Sequence, residues 1–191
     1  MLAIAAPIMV LACPDSRSGN NLKAYDVIVF GDEVPGVMTA IQVKRELKKR
    51  SQPARVLLIT EGDTTKGIGG DLVRGGLGYL DRNQVPRDMR AKLGDFAPAS
   101  PLYREFLTIT GTQTIALDHF KAAAAFKRIL AKEQVDVIGR CKLQSVTTTP
   151  KTVCSLNTTQ NGTFAAKQFI DATQGGKFSR MAVKCSQALP N

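Results

Sequence analysis

At 191 residues with 43% apolar content, the chain can bury one core of its own and has the size of a single domain with a small excursion, which excludes a disordered chain. A net charge of +10 invites nucleic acid or an anionic membrane as partner. Yet the densest basic run, Lys44 to Arg50, closes a helical pattern where solvated cations are ordinary, and no zinc, helix-turn-helix or aromatic stacking pattern accompanies it, so no nucleic-acid partner is expected.

The first 24 residues divide into an apolar leader ending at Cys13 and a polar linker, Pro14 to Lys23, too poor in apolar surface to fold alone. Val10, Leu11 and Ala12 before Cys13 loosely resemble a lipoprotein cleavage site, which would make Cys13 a lipid anchor and the protein exported. The positively charged start of an export signal is missing, so an unstructured leader or a mis-called start, with a cytoplasmic protein, is the equal alternative. The run is too short to span a bilayer as a helix. Cys13, Cys141, Cys154 and Cys185 form no CxxC pair and the chain has one histidine, so no metal site is expected; buried inert thiols are the expectation for the last three.

The folded domain is expected over residues 25–176, followed by a short tail, 177–191, without a clear element. Tyr25 to Phe30 (YDVIVF) is a short apolar run rich in β-branched residues, as in a parallel strand covered on both faces. From Gly36 to about Arg50, Val37, Ala40, Ile41, Val43 and Leu47 recur at helical spacing. A second strand, Arg55 to Thr60, ends in Glu61. Strand, helix, strand in this order predicts a right-handed parallel βαβ unit.

Residues 62–112 are rich in glycine and proline and read as loops with short helices over a site, with one dense stretch, Gly67 to Gly78. A helix is expected from Asp118, a good N-cap, to Glu133, and a core strand from Val135 to Ile138. Cys141 to Ile170 is β-like, with an Asn161-Gly162 hairpin signal in which both residues tolerate positive φ. The fold class is therefore α/β, a Rossmann-like doubly wound parallel sheet with a small β-meander or hairpin excursion.

The chemistry is expected in the turn Gly31, Asp32, Glu33, Val34, Pro35, Gly36, which follows a strand and opens a helix, as a dinucleotide fingerprint requires. The first glycine makes the tight turn, the last lets helix pack on strand, and the helix N-terminus presents N–H groups to a pyrophosphate. Glu33 stands where the middle glycine would let phosphate approach, and adds bulk and a like charge. Either it points away from the ligand or the phosphate grip is weak or lost. Glu61, at the end of the second strand, can accept hydrogen bonds from the ribose hydroxyls of an adenosine. His119, next to an N-cap and without a readable partner, is not expected to be catalytic.

Together, YDVIVFGDEVPG, the TEG ending the second strand, GGDLVRGG and FIDATQGG resemble the FAD-binding region of bacterial FAD-dependent oxidoreductases of the glutathione-reductase-like fold, over about Tyr25 to Gly176. The resemblance implies that Gly69 and Gly70 let the chain run close to the flavin and its pyrophosphate, and that Arg74 neutralises phosphate. It implies backbone contacts to adenine from the strand holding Val137, and a return to the cofactor at Ala172 and Thr173. Gln174 replaces a usual glycine. Such enzymes continue to a second cofactor segment and a substrate domain, so the chain resembles a truncated member. Two alternatives stay open: a cofactor-free α/β module, and an NAD- or S-adenosylmethionine-binding domain.

Overall fold

The computed structural model describes residues 13, 22–52, 54–80, 100–113, 116–149 and 152–187. Six strands, β1 (Leu22–Phe30), β2 (Val56–Ile59), β3 (Asp136–Ile138), β4 (Leu143–Thr148), β5 (Val153–Thr158) and β6 (Gly162–Asp171), form one sheet in the order β3-β2-β1-β6-β5-β4. β3, β2, β1 and β6 are parallel, while β5 runs antiparallel to β6 and β4 antiparallel to β5. The chain steps outward from β1 through β2 to β3, then returns by the β4-β5 meander to pair β6 with the other side of β1. The carboxyl ends of β1 and β6 therefore flank a topological switch point, where open α/β sheets place their ligands.

β2 and the carboxyl half of β1 are buried on both faces, and alternation along each strand assigns its side chains to one of two cores. Val27 and Val29 of β1 and Val56 and Leu58 of β2 join a helical layer, whereas Ile28, Phe30, Leu57 and Ile59 face the meander. The helical layer contains α1 (Val34–Lys49), α2 (Gly70–Arg74), α3 (Pro101–Thr110) and α4 (His119–Lys132). α1 packs through Val37, Ala40 and Ile41, and α4 through Ala122, Ala125, Phe126, Ile129 and Leu130, with the Phe126 ring 4.7 Å from that of Phe106 in α3. Asp118 caps α4 as expected, accepting from the N–H groups of Phe120 and Lys121.

Three local readings change. β1 begins at Leu22, inside the expected linker, because Leu22 to Tyr25 pair with Thr163 to Ala166 of β6. The expected structureless tail forms a helix, α5 (Lys177–Gln187), whose Phe178 lies 5.9 Å from Phe30 and 5.5 Å from Phe169, centroid to centroid. Burial of Phe178, with Met181 and Ala182 one turn on, supplies the apolar stripe that holds this helix to the sheet. The Asn161-Gly162 turn does join β5 to β6, but only Gly162 takes positive φ (81°), and the Thr158 hydroxyl closes the loop with Gly162 O and Asn161 N–H.

Cys154 is not a free thiol: it is bonded to Cys13 across 141 residues of sequence. A Cys13 sulfur so engaged cannot carry a lipid thioether, which corrects the anchor reading in this state. The rest of the leader, residues 1–12, lies outside the described residues, as does 81–99 of the glycine- and proline-rich stretch. Cys141 is free and buried, and burial pushes its thiol up. No described helix is long and apolar enough to cross a membrane.

Candidate functional site

The turn after β1 is built by backbone contact. Gly31 has φ 113°, and a Cβ there would stand 2.6 Å from the Ala172 carbonyl oxygen, so only glycine lets the ends of β1 and β6 approach as they do. A Cβ on Gly36 would overlap the Gly31 carbonyl oxygen, and its absence sets α1 directly on the strand. Pro35 in the first turn of α1 lacks an N–H that would have no helical partner anyway. The first intrahelical bond runs from Val37 N–H to Glu33 O, leaving the N–H groups of Val34 and Gly36 at the helix start. At this turn the structure brings together Gly31, Asp32, Glu33, Val34, Pro35, Gly36, Gly69, Gly70, Arg74, Ala172 and Thr173.

Asp32 points inward and is 3% exposed. Its carboxylate accepts from the Thr60 hydroxyl (2.6 Å), from Arg74 Nη1 and Nη2 (2.5 and 2.9 Å) and from Gly69 N–H (3.4 Å). Burial alone would raise its pKa, but the Arg74 guanidinium and the Thr60 hydroxyl outweigh it and hold the carboxyl below the usual range. Arg74 also donates to Gly67 O (3.0 Å) and lies over Gly62, where a Cβ would meet its guanidinium. The cation expected to face phosphate is thus the strap that joins the β1 turn, the β2 turn and α2. Nothing in the local sequence signals the pair, whose members lie 42 residues apart.

Glu33 caps α1 without a side-chain hydrogen bond to it. Its carboxylate reaches across to α2 instead, where both oxygens accept from Asp71 N–H (3.2 and 3.0 Å). Gln174 Nε2 donates to Asp71 Oδ2 (3.2 Å), drawing the loop after β6 to the same point. Thr173 turns back on Asp171, whose Oδ1 accepts from its N–H and hydroxyl (3.0 and 2.6 Å).

Glu61 sits beyond the end of β2, as expected, but is engaged. Lys177 Nζ of α5 donates to both of its oxygens (2.5 and 2.7 Å), and Leu143 N–H donates to Oε1 (3.1 Å). Burial works the other way, yet Lys177 and the Leu143 N–H hold this carboxyl below its ordinary value. Lys177 is the residue that the sequence reading missed, because it fell in the tail assigned no structure. Val137 is central in β3, opposite Leu58, with its side chain against the helical core, so only its backbone on the outer edge of the strand is open to a ligand. His119 opens α4 with its ring 4.1 Å from that of the exposed Phe120. Among the described residues no cluster of His, Cys, Asp or Glu could hold a metal ion.

The donor frame fits a dinucleotide: a glycine-made close approach of β1, α1 and β6 at the switch point, with a helix start and an acidic strand end beside it. The one side chain that does not fit is Glu33. A strand-turn-helix frame of this construction defines a nucleotide-binding α/β domain of the Rossmann type.

Residues 26–184 match the FAD dependent oxidoreductase family, and the chain belongs to that family. Among solved structures, the chain is similar to a point variant of NikD, described as an unusual amino acid oxidase essential for nikkomycin biosynthesis, with 15% identity and a TM-score of 0.53 over 85% of this chain and 54% of that one. It is similar to an L-amino acid deaminase from Proteus vulgaris lacking its specific insertion sequence, with 17% identity and a TM-score of 0.53 over 90% of this chain and 58% of that one. A 3-ketosteroid-delta4-(5alpha)-dehydrogenase from Rhodococcus jostii RHA1 is similar at 14% identity and a TM-score of 0.52, over 78% and 45%. At such identities the likeness shows the fold. The chain spans roughly half the length of these three proteins or a little more. No curated protein sequence matches it.

Proposed function

We propose that this chain holds the ADP half of FAD across the crevice between the carboxyl ends of β1 and β6 and serves as the cofactor domain of a flavin-dependent oxidoreductase whose substrate is a small molecule. The observation that carries the reading is the contact of Gly31, Gly36 and Ala172, which brings the start of α1 to the switch point with no side chain between helix and strand. Val34 and Gly36 N–H and the positive end of α1 would receive the pyrophosphate. Glu61 would accept from one ribose hydroxyl, since a carboxylate has about four acceptor positions and the three bonds from Lys177 and Leu143 leave one of them open. The backbone of β3 near Val137 would border the adenine.

Bound FAD supplies the electron acceptor and donor of the redox step, and the protein supplies binding and orientation. In this reading Asp32 and Arg74 are positioning residues: their ion pair fixes the turn against α2 and commits the Arg74 guanidinium to Asp32. The competing reading, a cofactor-free module, draws on Glu33, Asp71 and Gln174, which bond across the mouth of the crevice.

The test is the visible absorption spectrum of the purified chain before and after incubation with excess FAD and removal of free ligand. Retained flavin with a protein-shifted spectrum is the expected result. No retained flavin on a chain shown folded by circular dichroism overturns the proposal in favour of the cofactor-free module. Displacement of the flavin by NAD or S-adenosylmethionine would reassign the ligand.

A further inference from the structure

We propose that the Glu33 carboxylate is a built-in competitor of the cofactor's pyrophosphate, so that the dinucleotide seats fully only when Glu33 gives up its bond to Asp71 N–H. The inference rests on the FAD-binding reading and adds to it a proton-linked control of that same site.

Three observations place the carboxylate in the way. Glu33 occupies the position of the turn where a glycine would leave room for phosphate beside α1, and its side chain ignores the helix it caps. It crosses to α2 and lies so close to Gly70 that a Cβ there would overlap the carboxyl group. The bond from Gln174 to Asp71 then closes the third side, from the loop after β6. One carboxylate is thus held between the three segments that line the switch point.

The local charge makes it an opponent of an anion rather than a bystander. Among the described residues, the charged groups that act most on Glu33 are Asp32 on its own turn and Asp71 and Arg74 on α2, with the neutral Gln174 opposite. The one cation among them gives its hydrogen bonds to Asp32 and to Gly67 O. A pyrophosphate entering here meets Glu33 and Asp71, while the Arg74 guanidinium beside them is already bonded to Asp32 and Gly67 O. Burial, followed by the neighbouring Asp71 and Asp32 carboxylates, raises the Glu33 pKa, against the pull of Asp71 N–H and Arg74. Adding a dianion beside it pushes in the same direction, so binding takes up a proton at Glu33.

The test is titration of the full chain with FAD, read by quenching of flavin fluorescence, for wild type, E33G and E33Q at about pH 5.5 and about pH 8. Glycine is well accepted at an N-cap and glutamine keeps the shape, so the fold survives at least one variant, checked by circular dichroism. At the higher pH E33G is expected to bind roughly tenfold or more tightly than wild type, and E33Q to shift the same way by less. Wild-type affinity is expected to rise toward the lower pH, and that of the variants to stay flat. If all three proteins bind equally and with equal pH dependence, the inference fails and FAD binding stands. A gain in E33G alone, with E33Q like wild type, overturns competition by charge. No binding by any folded variant overturns both this inference and the FAD reading.

Discussion

Two glutamates stand at the carboxyl ends of neighbouring parallel strands, and the protein treats them in opposite ways. Glu61, after β2, is met by an ammonium group and a backbone N–H, and its carboxyl is held below the ordinary value. Glu33, after β1, is held above it by burial and by two neighbouring carboxylates, against a single backbone N–H. The lesson is that position in the fold does not fix the state of an acid. Burial raises both, and what separates them is whether a cation answers it: Lys177 gives its hydrogen bonds to Glu61, whereas Arg74 gives them to Asp32.

Breaking the frame beneath Glu33 should cost the most. Gly36→Ala forces a Cβ onto the Gly31 carbonyl oxygen, a backbone atom that no rotamer change can move. A loss of about 3 kcal/mol is expected, in the upper range of single substitutions, read as a lower urea midpoint with an unchanged slope. Since the cost comes from overlap between α1 and β1, Gly76→Ala makes a useful control: its added Cβ meets nothing within 4 Å, and only the strain of its φ of 68° remains.

Next comes the cation of the Glu33 corner. Arg74→Met leaves Asp32 buried with the Thr60 hydroxyl and a long Gly69 N–H contact as its remaining partners. Breaking a buried pair by removing one partner typically costs ~3–5 kcal/mol; because the Arg74 side chain is 21% exposed, about 2 kcal/mol is expected. The double variant D32N/R74M should recover part of the loss, and a double-mutant cycle by urea unfolding measures the coupling. At the other corner Lys177→Met should cost only about 0.5 kcal/mol, because both partners are well exposed and solvent screens them.

Much of this frame is legible in the sequence, and the reason is local. The β1-α1-β2 unit, the Asp118 cap and the β5-β6 turn each announce themselves within a few residues, through alternation, helical spacing or turn chemistry. The long-range pairs, in the crevice and in the disulfide outside it, are not local. Glu33 finds Asp71 38 residues on, Arg74 finds Asp32 across 42, Lys177 finds Glu61 across 116 and Cys13 finds Cys154 across 141. No window of the sequence contains both members of any such pair. α5 lies between these cases: Phe178, Met181 and Ala182 carry its spacing, but a short stripe after two glycines weighs little until the sheet it covers is known.

The sharpest test of the two corners is the sign of their pH dependence. Glu61 has a depressed folded pKa, so its contribution to stability is present above the unfolded value of about 4.3 and is lost as pH falls through the lowered folded value. E61Q should therefore cost about 0.5 kcal/mol near pH 7, discounted for its exposed ion pair, and approach zero at strongly acidic pH. Glu33 has a raised folded pKa, so its protonated form favours the fold, and that stabilisation is complete below about pH 4.3 and lost as pH rises through the raised folded value. Glutamine, which is neutral throughout, should make E33Q more stable than wild type near pH 7 by about 0.5 kcal/mol, with the difference vanishing in acid. Urea unfolding of both variants at about pH 7 and at the lowest pH that keeps the chain folded checks this directly. Shifts of the same sign at neutral pH would mean that the two corners share one electrostatic environment, and the contrast between Lys177 and Arg74 would no longer account for them.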